Sequence, residues 1–203
     1  MTIFYRLFDK LYVNVTNRCS CACIFCIRDG GDGVGDANSL WLEREPTLEE
    51  IKTAFLATDY TDCTEIVFCG YGEPMERADV VIETAKYIKG KASLPVRLNT
   101  NGLAQLIKPD FDMAALIVFD TISISLNAPD EDEYMRVTQP AFGKAAFGAM
   151  LQFAKEAARF SVVVFTVLDI LTLQQIEHCR EIASAHGGKL KIRHYIKNNI
   201  SYN

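Results

Sequence analysis

Two periodicities alternate along the chain. Runs that switch between apolar and polar at each residue predict strands, and runs with apolar residues three or four apart predict amphipathic helices. The strand-like runs are LYVNVTN (11–17), EIVFCG (65–70), VRLNTN (96–101), TISISLN (121–127), VVVFTVL (162–168) and LKIRHY (190–195). Between the first two, Thr47 and Glu50 make a T-x-x-E capping box, and Leu48, Ile51 and Phe55 continue it as an apolar stripe. Residues 78–89 predict a helix stopped by Gly90, and 112–117 a short one. Residues 142–158 set Phe147, Met150, Leu151 and Ala154 on one helical face. Thr172 and Gln175 cap a last helix that carries Leu173, Ile176, Cys179 and Ile182 and ends at Gly187-Gly188. Strand followed by helix, repeated, predicts parallel βα units. VVVFTVL is almost wholly apolar and predicts a strand buried on both faces.

Such units build either a doubly wound open sheet or an incomplete barrel, and the strand faces separate the two. Thr121, Ser123, Ser125 and Asn127 share one side of their strand, opposite Ile122, Ile124 and Leu126. Arg97, Asn99 and Asn101 likewise oppose Val96 and Leu98. A doubly wound sheet carries helices on both faces and makes both apolar. One apolar and one polar face predict an α/β fold, an incomplete (β/α)6 barrel of partial TIM type, with a short N-terminal strand or hairpin. Its polar side would face a partly open lumen. Polar residues bonded to one another inside a packed barrel are the alternative.

Composition narrows the class without fixing the chemistry. The 203 residues suit one domain, 1–203, with a sizeable core. A net charge of −5 argues against a nonspecific nucleic-acid binder, whose surface is usually basic. No apolar run approaches the roughly 18 to 20 residues of a membrane helix, and the charged start MTIFYRLFDK lacks the apolar centre of a signal peptide. A cytoplasmic protein is expected. Four of the seven cysteines, at 19, 21, 23 and 26, fall within eight residues. A disulfide scaffold spreads its cysteines, so this cluster points to a metal or redox site.

Cys19-x-x-x-Cys23-x-x-Cys26 lies in the loop after the first predicted strand. Thiolates are soft anionic donors that suit iron. Three of them on a four-iron cube leave one iron open to a small molecule. Cys21 as a fourth ligand would instead make a zinc site or a purely electron-carrying cluster. Cys23-Ile-Phe-Cys26 read as a thioredoxin-like redox pair leaves Cys19 unexplained. Cys63, Cys69 and Cys179 stand alone and are expected to be small core residues.

The second strand ends in Cys69-Gly70-Tyr71-Gly72-Glu73-Pro74, where glycines allow close backbone approach to a ligand and Glu73 supplies an acceptor for an ammonium group. Together the two motifs resemble the radical S-adenosylmethionine (radical SAM) superfamily, with CxxxCxΦC after strand one and a GGE-type turn after strand two. Tyr71 departs from the glycine more common in that family. Asn99-Thr100-Asn101-Gly102 and Ser123 to Asn127 look like its third and fourth strand ends. VNVTNRCSCACIFCIRDGGDGVG followed by SLWLEREPT is similar to the TatD-associated radical SAM proteins.

The resemblance implies a [4Fe–4S] cluster on Cys19, Cys23 and Cys26, with S-adenosylmethionine on the open iron. It implies that Tyr71, Gly72 and Glu73 hold the methionine amino group, with Gly70 also at the cofactor, and that Phe25 packs near the adenine. Asn99, Ser123, Ser125 and Asn127 would approach the ribose and methionine. It further implies reductive cleavage to a 5′-deoxyadenosyl radical, hydrogen abstraction from an unknown substrate or partner protein, and an electron donor such as flavodoxin or ferredoxin. A noncatalytic iron–sulfur or zinc protein is the competing reading.

Arg136, in DEDEYMR, would pair with a carboxylate of SAM or substrate, or else sit exposed beside its acidic neighbours. Arg97 would either bind an anionic substrate or pair with Glu65. His178, His186 and His194 lack metal spacing. The loop from Asp29 to Glu45, with the only tryptophan, Trp41, would be a lid, a docking surface or a packed strap.

Overall fold

The computed structural model describes residues 1–195. Strands β1 (Phe4–Leu7) and β2 (Lys10–Val13) form an antiparallel hairpin that turns at Phe8, whose φ is 55°. There follow α1 (Leu48–Ala57), β3 (Glu65–Phe68), α2 (Ala78–Lys89), β4 (Val96–Thr100), α3 (Ala104–Ile107) and β5 (Thr121–Ser125). Then come α4 (Glu131–Thr138), α5 (Ala145–Ala157), β6 (Val162–Leu168), α6 (Leu173–Ala185) and β7 (Lys189–Arg193). The strands make one sheet in chain order, and every pair after the hairpin is parallel. β1 and β7 do not pair, so the sheet stays open.

Sequential parallel strands joined by crossovers of one hand put their helices on one side of the sheet. The core shows this. Leu11, Ile66, Leu98, Ile122 and Phe165, one from each of β2 to β6, pack in one cluster with Phe55 of α1, Ile88 of α2, Phe153 of α5 and Cys179 of α6. The other side carries the polar set. Register aligns Arg97 with Thr121, Asn99 with Ser123, and Ser125 with Thr166. The sheet also curls, because Arg193 on β7 acts electrostatically on Tyr12 of β2 and on Cys69, just past β3. This is the open, partial barrel expected from the faces.

Both capping boxes form: Thr47 accepts from the Glu50 amide and Thr172 from the Gln175 amide, each with the reciprocal bond. Helix 78–89 ends at Gly90 as expected, and 112–117 appears as a 3-10 turn, Met113–Val118. Two expectations change and one element is added. β6 is buried throughout on the helix side but unevenly on the polar side, where Val162 is 60% exposed and Thr166 is buried. The first strand stops at Val13; the Asn14 backbone amide still donates to the Ile3 carbonyl, while its side-chain amide donates to the carbonyls of Thr2 and Leu40. The acidic stretch after β5 forms the separate helix α4, which Asp130 caps through the Glu133 amide. Among the described residues no helix is long and apolar enough to cross a membrane.

Candidate active site

In a sheet of parallel strands the loops after each strand gather at one edge. The cysteine loop leaves β2 at that edge and is laid along the end of α4. The amides of Ala22 and Ile24 donate to the carbonyls of Thr138 and Val137, and the Ala141 amide donates to Ser20. The last carbonyls of a helix have no partner within it, so the loop satisfies α4 while α4 fixes the loop. Cys19, Cys23 and Cys26 are partly exposed, Cys21 is buried, and no described cysteine is in a disulfide.

Cys21 lies between its neighbours. The Cys21 amide donates to Cys19 Sγ at 3.4 Å, and the Asn101 amide group donates to Cys21 Sγ at 3.7 Å. Hydrogen bonding from the Cys21 thiol pushes Cys19 and Cys23 toward the thiolate, and the same bonds hold the proton on Cys21. Arg28 Nε donates to Cys26 Sγ at 3.3 Å. Three soft, partly exposed thiols on one loop fit a cluster with an open corner. The fourth thiol is buried behind them as a donor. Among the described residues no three His, Cys, Asp or Glu side chains gather into a single-ion site.

The turn after β3 packs against this loop through its glycines. A Cβ on Gly72 would fall 2.3 Å from the Thr16 carbonyl oxygen and 2.6 Å from that of Arg18; on Gly70 it would fall 2.0 Å from Asn14 Oδ1. The space left by the missing side chains is therefore filled by protein, not by ligand. The Glu73 amide then donates to the Arg18 carbonyl at 2.8 Å.

Glu73 is 5% exposed, and its carboxylate is already engaged. Oε1 accepts from the Met75 amide and the Thr100 hydroxyl, and Oε2 from the Asn101 amide at 2.6 Å. Its side chain braces β3 to β4, and these three donors share the carboxylate with any ammonium group it would accept from. Burial pushes its carboxyl up to about 7. The carbonyls of Gly70 and Gly72 accept no hydrogen bond from the described residues.

Tyr71 explains its own departure from glycine. Its side chain is buried in a small cluster with Tyr5, Leu7, Val34 and Leu40. The hydroxyl donates to the Gly31 carbonyl, and the ring meets Trp41 edge-on with centroids 5.1 Å apart. Trp41 also lies under the Arg28 guanidinium at 5.9 Å. The glycine-rich loop is thus a packed strap.

On the polar face, Ser123, Ser125 and Asn127 offer side chains with no hydrogen-bond partner among the described residues. Asn127 ends the row at a positive φ of 61°. Asn99 Oδ1 accepts from Arg97, and Arg97 pairs with Glu65 at 3.0 Å. Phe25 packs half-buried against the core beside the Cys23–Cys26 turn. Arg136 is not brought in: its guanidinium is exposed and pairs with Glu133 on the same helix at 2.6 Å. Cys63 and Cys179 are core residues, whereas Cys69 is half-buried on the polar face beside Asn99.

Two contributors had no individual role in the sequence reading. Asn101, placed there on the polar face and in the third strand end, joins three parts of the site through Ser20, Cys21 and Glu73. Glu45 ends the strap by accepting from Thr16 and pairing with Arg18 and Arg77. The T-N-R run before Cys19 was the available signal, since Thr and Arg flanking a motif are suited to hold its entry.

An open α/β barrel with a triple-cysteine loop at its strand ends defines a class of iron–sulfur enzymes that act on a small cofactor. A family profile described as Radical SAM superfamily matches residues 13–184, and the chain belongs to that superfamily. Its cofactors are a [4Fe–4S] cluster and S-adenosylmethionine. The chain is similar to a GTP 3′,8-cyclase of Rhodopseudomonas palustris, 30% identical over 139 residues, which are 67% of this chain and 38% of that protein. It thus spans less than half the length of that relative. Its fold resembles TYW1 with a lysine-pyruvate adduct bound, with TM-score 0.65, 15% identity, and coverage of 95% of this chain and 67% of that one. It also resembles anSMEcpe with bound AdoMet, with TM-score 0.56, 15% identity, and coverage of 91% and 50%.

Proposed function

We propose that Cys19, Cys23 and Cys26 hold the cluster, that SAM lies across the ends of β3 to β5, and that a substrate on the polar face gives up a hydrogen atom. The observation that carries this reading is the presence, past the ends of parallel strands, of three half-exposed cysteines and of a row, Ser123, Ser125 and Asn127, whose side chains have no hydrogen-bond partner among the described residues. When bound, the cluster supplies the electron that cleaves SAM to a 5′-deoxyadenosyl radical.

The chain's own groups do the positioning. The free carbonyls of Gly70 and Gly72 accept from the methionine ammonium, on a turn that Glu73 keeps rigid. Ser123, Ser125, Asn127 and Asn99 contact ribose and carboxylate, and Phe25 packs near the adenine. Cys21 donates to the flanking ligand sulfurs. Hydrogen bonds to such sulfurs tune the reduction potential. The strap over β1 and β2 helps exclude water from a reactive carbon radical.

The electron donor is a flavodoxin or ferredoxin, and the setting is the cytoplasm. On the VNVTNRCSCACIFCIRDGGDGVG segment we group the chain with the TatD-associated radical SAM proteins and do not carry over the cyclase substrate. Anaerobic reconstitution with SAM and dithionite tests the reading. It expects 5′-deoxyadenosine and a SAM-dependent change in the EPR signal of the reduced cluster. A cluster indifferent to SAM, or stoichiometric zinc after anaerobic purification, would instead mark a noncatalytic protein.

A further inference from the structure

We infer that the polar face of the sheet takes a phosphate-bearing substrate, held from the β7 side by Lys189, Lys191 and Arg193. This rests on the reading of that face as the substrate side.

The register sets the direction of these side chains. Lys189 lies beside Val164, which lies beside Ser123; Lys191 lies beside Thr166, which lies beside Ser125; Arg193 lies beside Leu168. Residues aligned across a ladder share a face. The three cations therefore point to the side of Ser123 and Ser125, away from the helices. Arg193 acts on Tyr12 and Cys69 across the curl, which places its charge over the same concave surface.

The charge count on that surface is lopsided. Glu65 is the only acid among the strand residues facing it, and it is shared by Lys10 at 3.2 Å and Arg97 at 3.0 Å. Among the described residues no carboxylate pairs with Lys189, Lys191 or Arg193. Asp169, just past β6, is occupied by His194 and the Tyr195 amide. Five bases therefore face one acid, in a chain whose net charge is −5. A concave surface of one sign concentrates ligands of the other. Three cations without counterions suit a multiply charged group such as phosphate better than a single carboxylate.

Lysines on an edge strand also deter pairing with another chain, and that role needs no ligand. Titration calorimetry separates the two. The reconstituted protein with SAM is titrated with inorganic pyrophosphate, for wild type, for Lys191→Gln/Arg193→Gln, and for Lys52→Gln/Lys86→Gln on the outer helices. Saturable binding is expected. The inner pair should weaken it at least about tenfold and the outer pair should leave it unchanged. Added salt should weaken it as well. Arg193→Lys, which keeps the charge, should retain most of the affinity. Absence of saturable binding, or equal loss in both double variants, overturns the inference. The same preparations are assayed for 5′-deoxyadenosine. Its formation without pyrophosphate binding sinks this inference alone, and binding without its formation sinks the proposed function alone.

Discussion

Gly72→Ala is the most direct test of how the two loops are joined. The new Cβ would lie 2.3 Å from the Thr16 oxygen, 2.6 Å from the Arg18 oxygen and 2.8 Å from the Thr16 carbonyl carbon. All three are backbone atoms, so no side chain can rotate away. Restoring ordinary contact needs a shift of about 1 Å. That shift stretches the bond from the Glu73 amide to the Arg18 carbonyl, now 2.8 Å. Overpacking of this kind costs about 1–3 kcal/mol and a weakened hydrogen bond about 1 more. Reduced freedom of the unfolded chain offsets about 0.5–1. The net expectation is a loss of about 2 kcal/mol, read as a lower urea midpoint with unchanged slope in the cluster-free chain. Because Arg18 directly precedes Cys19, the SAM-dependent EPR change should also shrink in the reconstituted variant. Gly148→Ala is the control, since nothing lies within 4 Å of its added Cβ inside α5. It should raise stability by about 1 kcal/mol. A Gly72→Ala chain as stable as wild type, with a normal SAM response, would refute the close-packing argument.

Three further outcomes are expected. Cys21→Ala should keep its full iron content while Cys19→Ala, Cys23→Ala and Cys26→Ala each lose theirs; iron loss in Cys21→Ala would restore the four-thiolate arrangement. Tyr71→Phe removes the hydroxyl bond to Gly31 and should cost about 1 kcal/mol, with faster amide exchange across residues 31–42; unchanged exchange there would show that the strap is held elsewhere. Glu73 has a carboxyl raised from 4.5 to about 7, so the folded chain binds its proton more readily than the unfolded chain does. Its contribution is fully present below about pH 4.5 and is lost as pH rises through about 7. The unfolding free energy of wild type relative to Glu73→Gln should therefore fall by up to about 3 kcal/mol over that window. A difference independent of pH would contradict the burial argument.

Features set by local chemistry were legible in the sequence. Thr47 and Thr172 each meet a partner three residues on, and such boxes close whatever lies around them. The alternation through Thr121 to Ser125, with that of Arg97 and Asn99 on the neighbouring strand, marked which side of the sheet would be polar and distinguished an open barrel from a doubly wound sheet. Period two says less when one face is merely spared a helix. VVVFTVL reads as doubly buried because three of its four polar-side residues are valine or leucine, and apolar side chains carry no mark of exposure. α4 was obscured for a different reason. Its acidic first turn suits a helix N-terminus, but the eight-residue helix is too short to show a full apolar stripe.

The cysteine triplet announced itself, but the roles of its neighbours depended on what lay opposite them in space. A glycine leaves the same gap for a ligand as for another segment of backbone. At Gly70 and Gly72 the gap is taken by Asn14, Thr16 and Arg18, and only the turn's carbonyls remain for a cofactor. Glu73 follows from this. Once the turn is pressed against the cysteine loop, its carboxylate faces the amides of Met75 and Asn101, and three donors make it a brace. Tyr71 could then depart from glycine without disturbing the site, because its side chain leaves on the far side of the turn and closes the strap through Gly31 and Trp41. The same logic bears on charge. Of the two partners expected for Arg97, an anion or Glu65, the structure shows Glu65. The uncommitted cations belong to β7, whose part in the polar face shows only once its register with β6 is known.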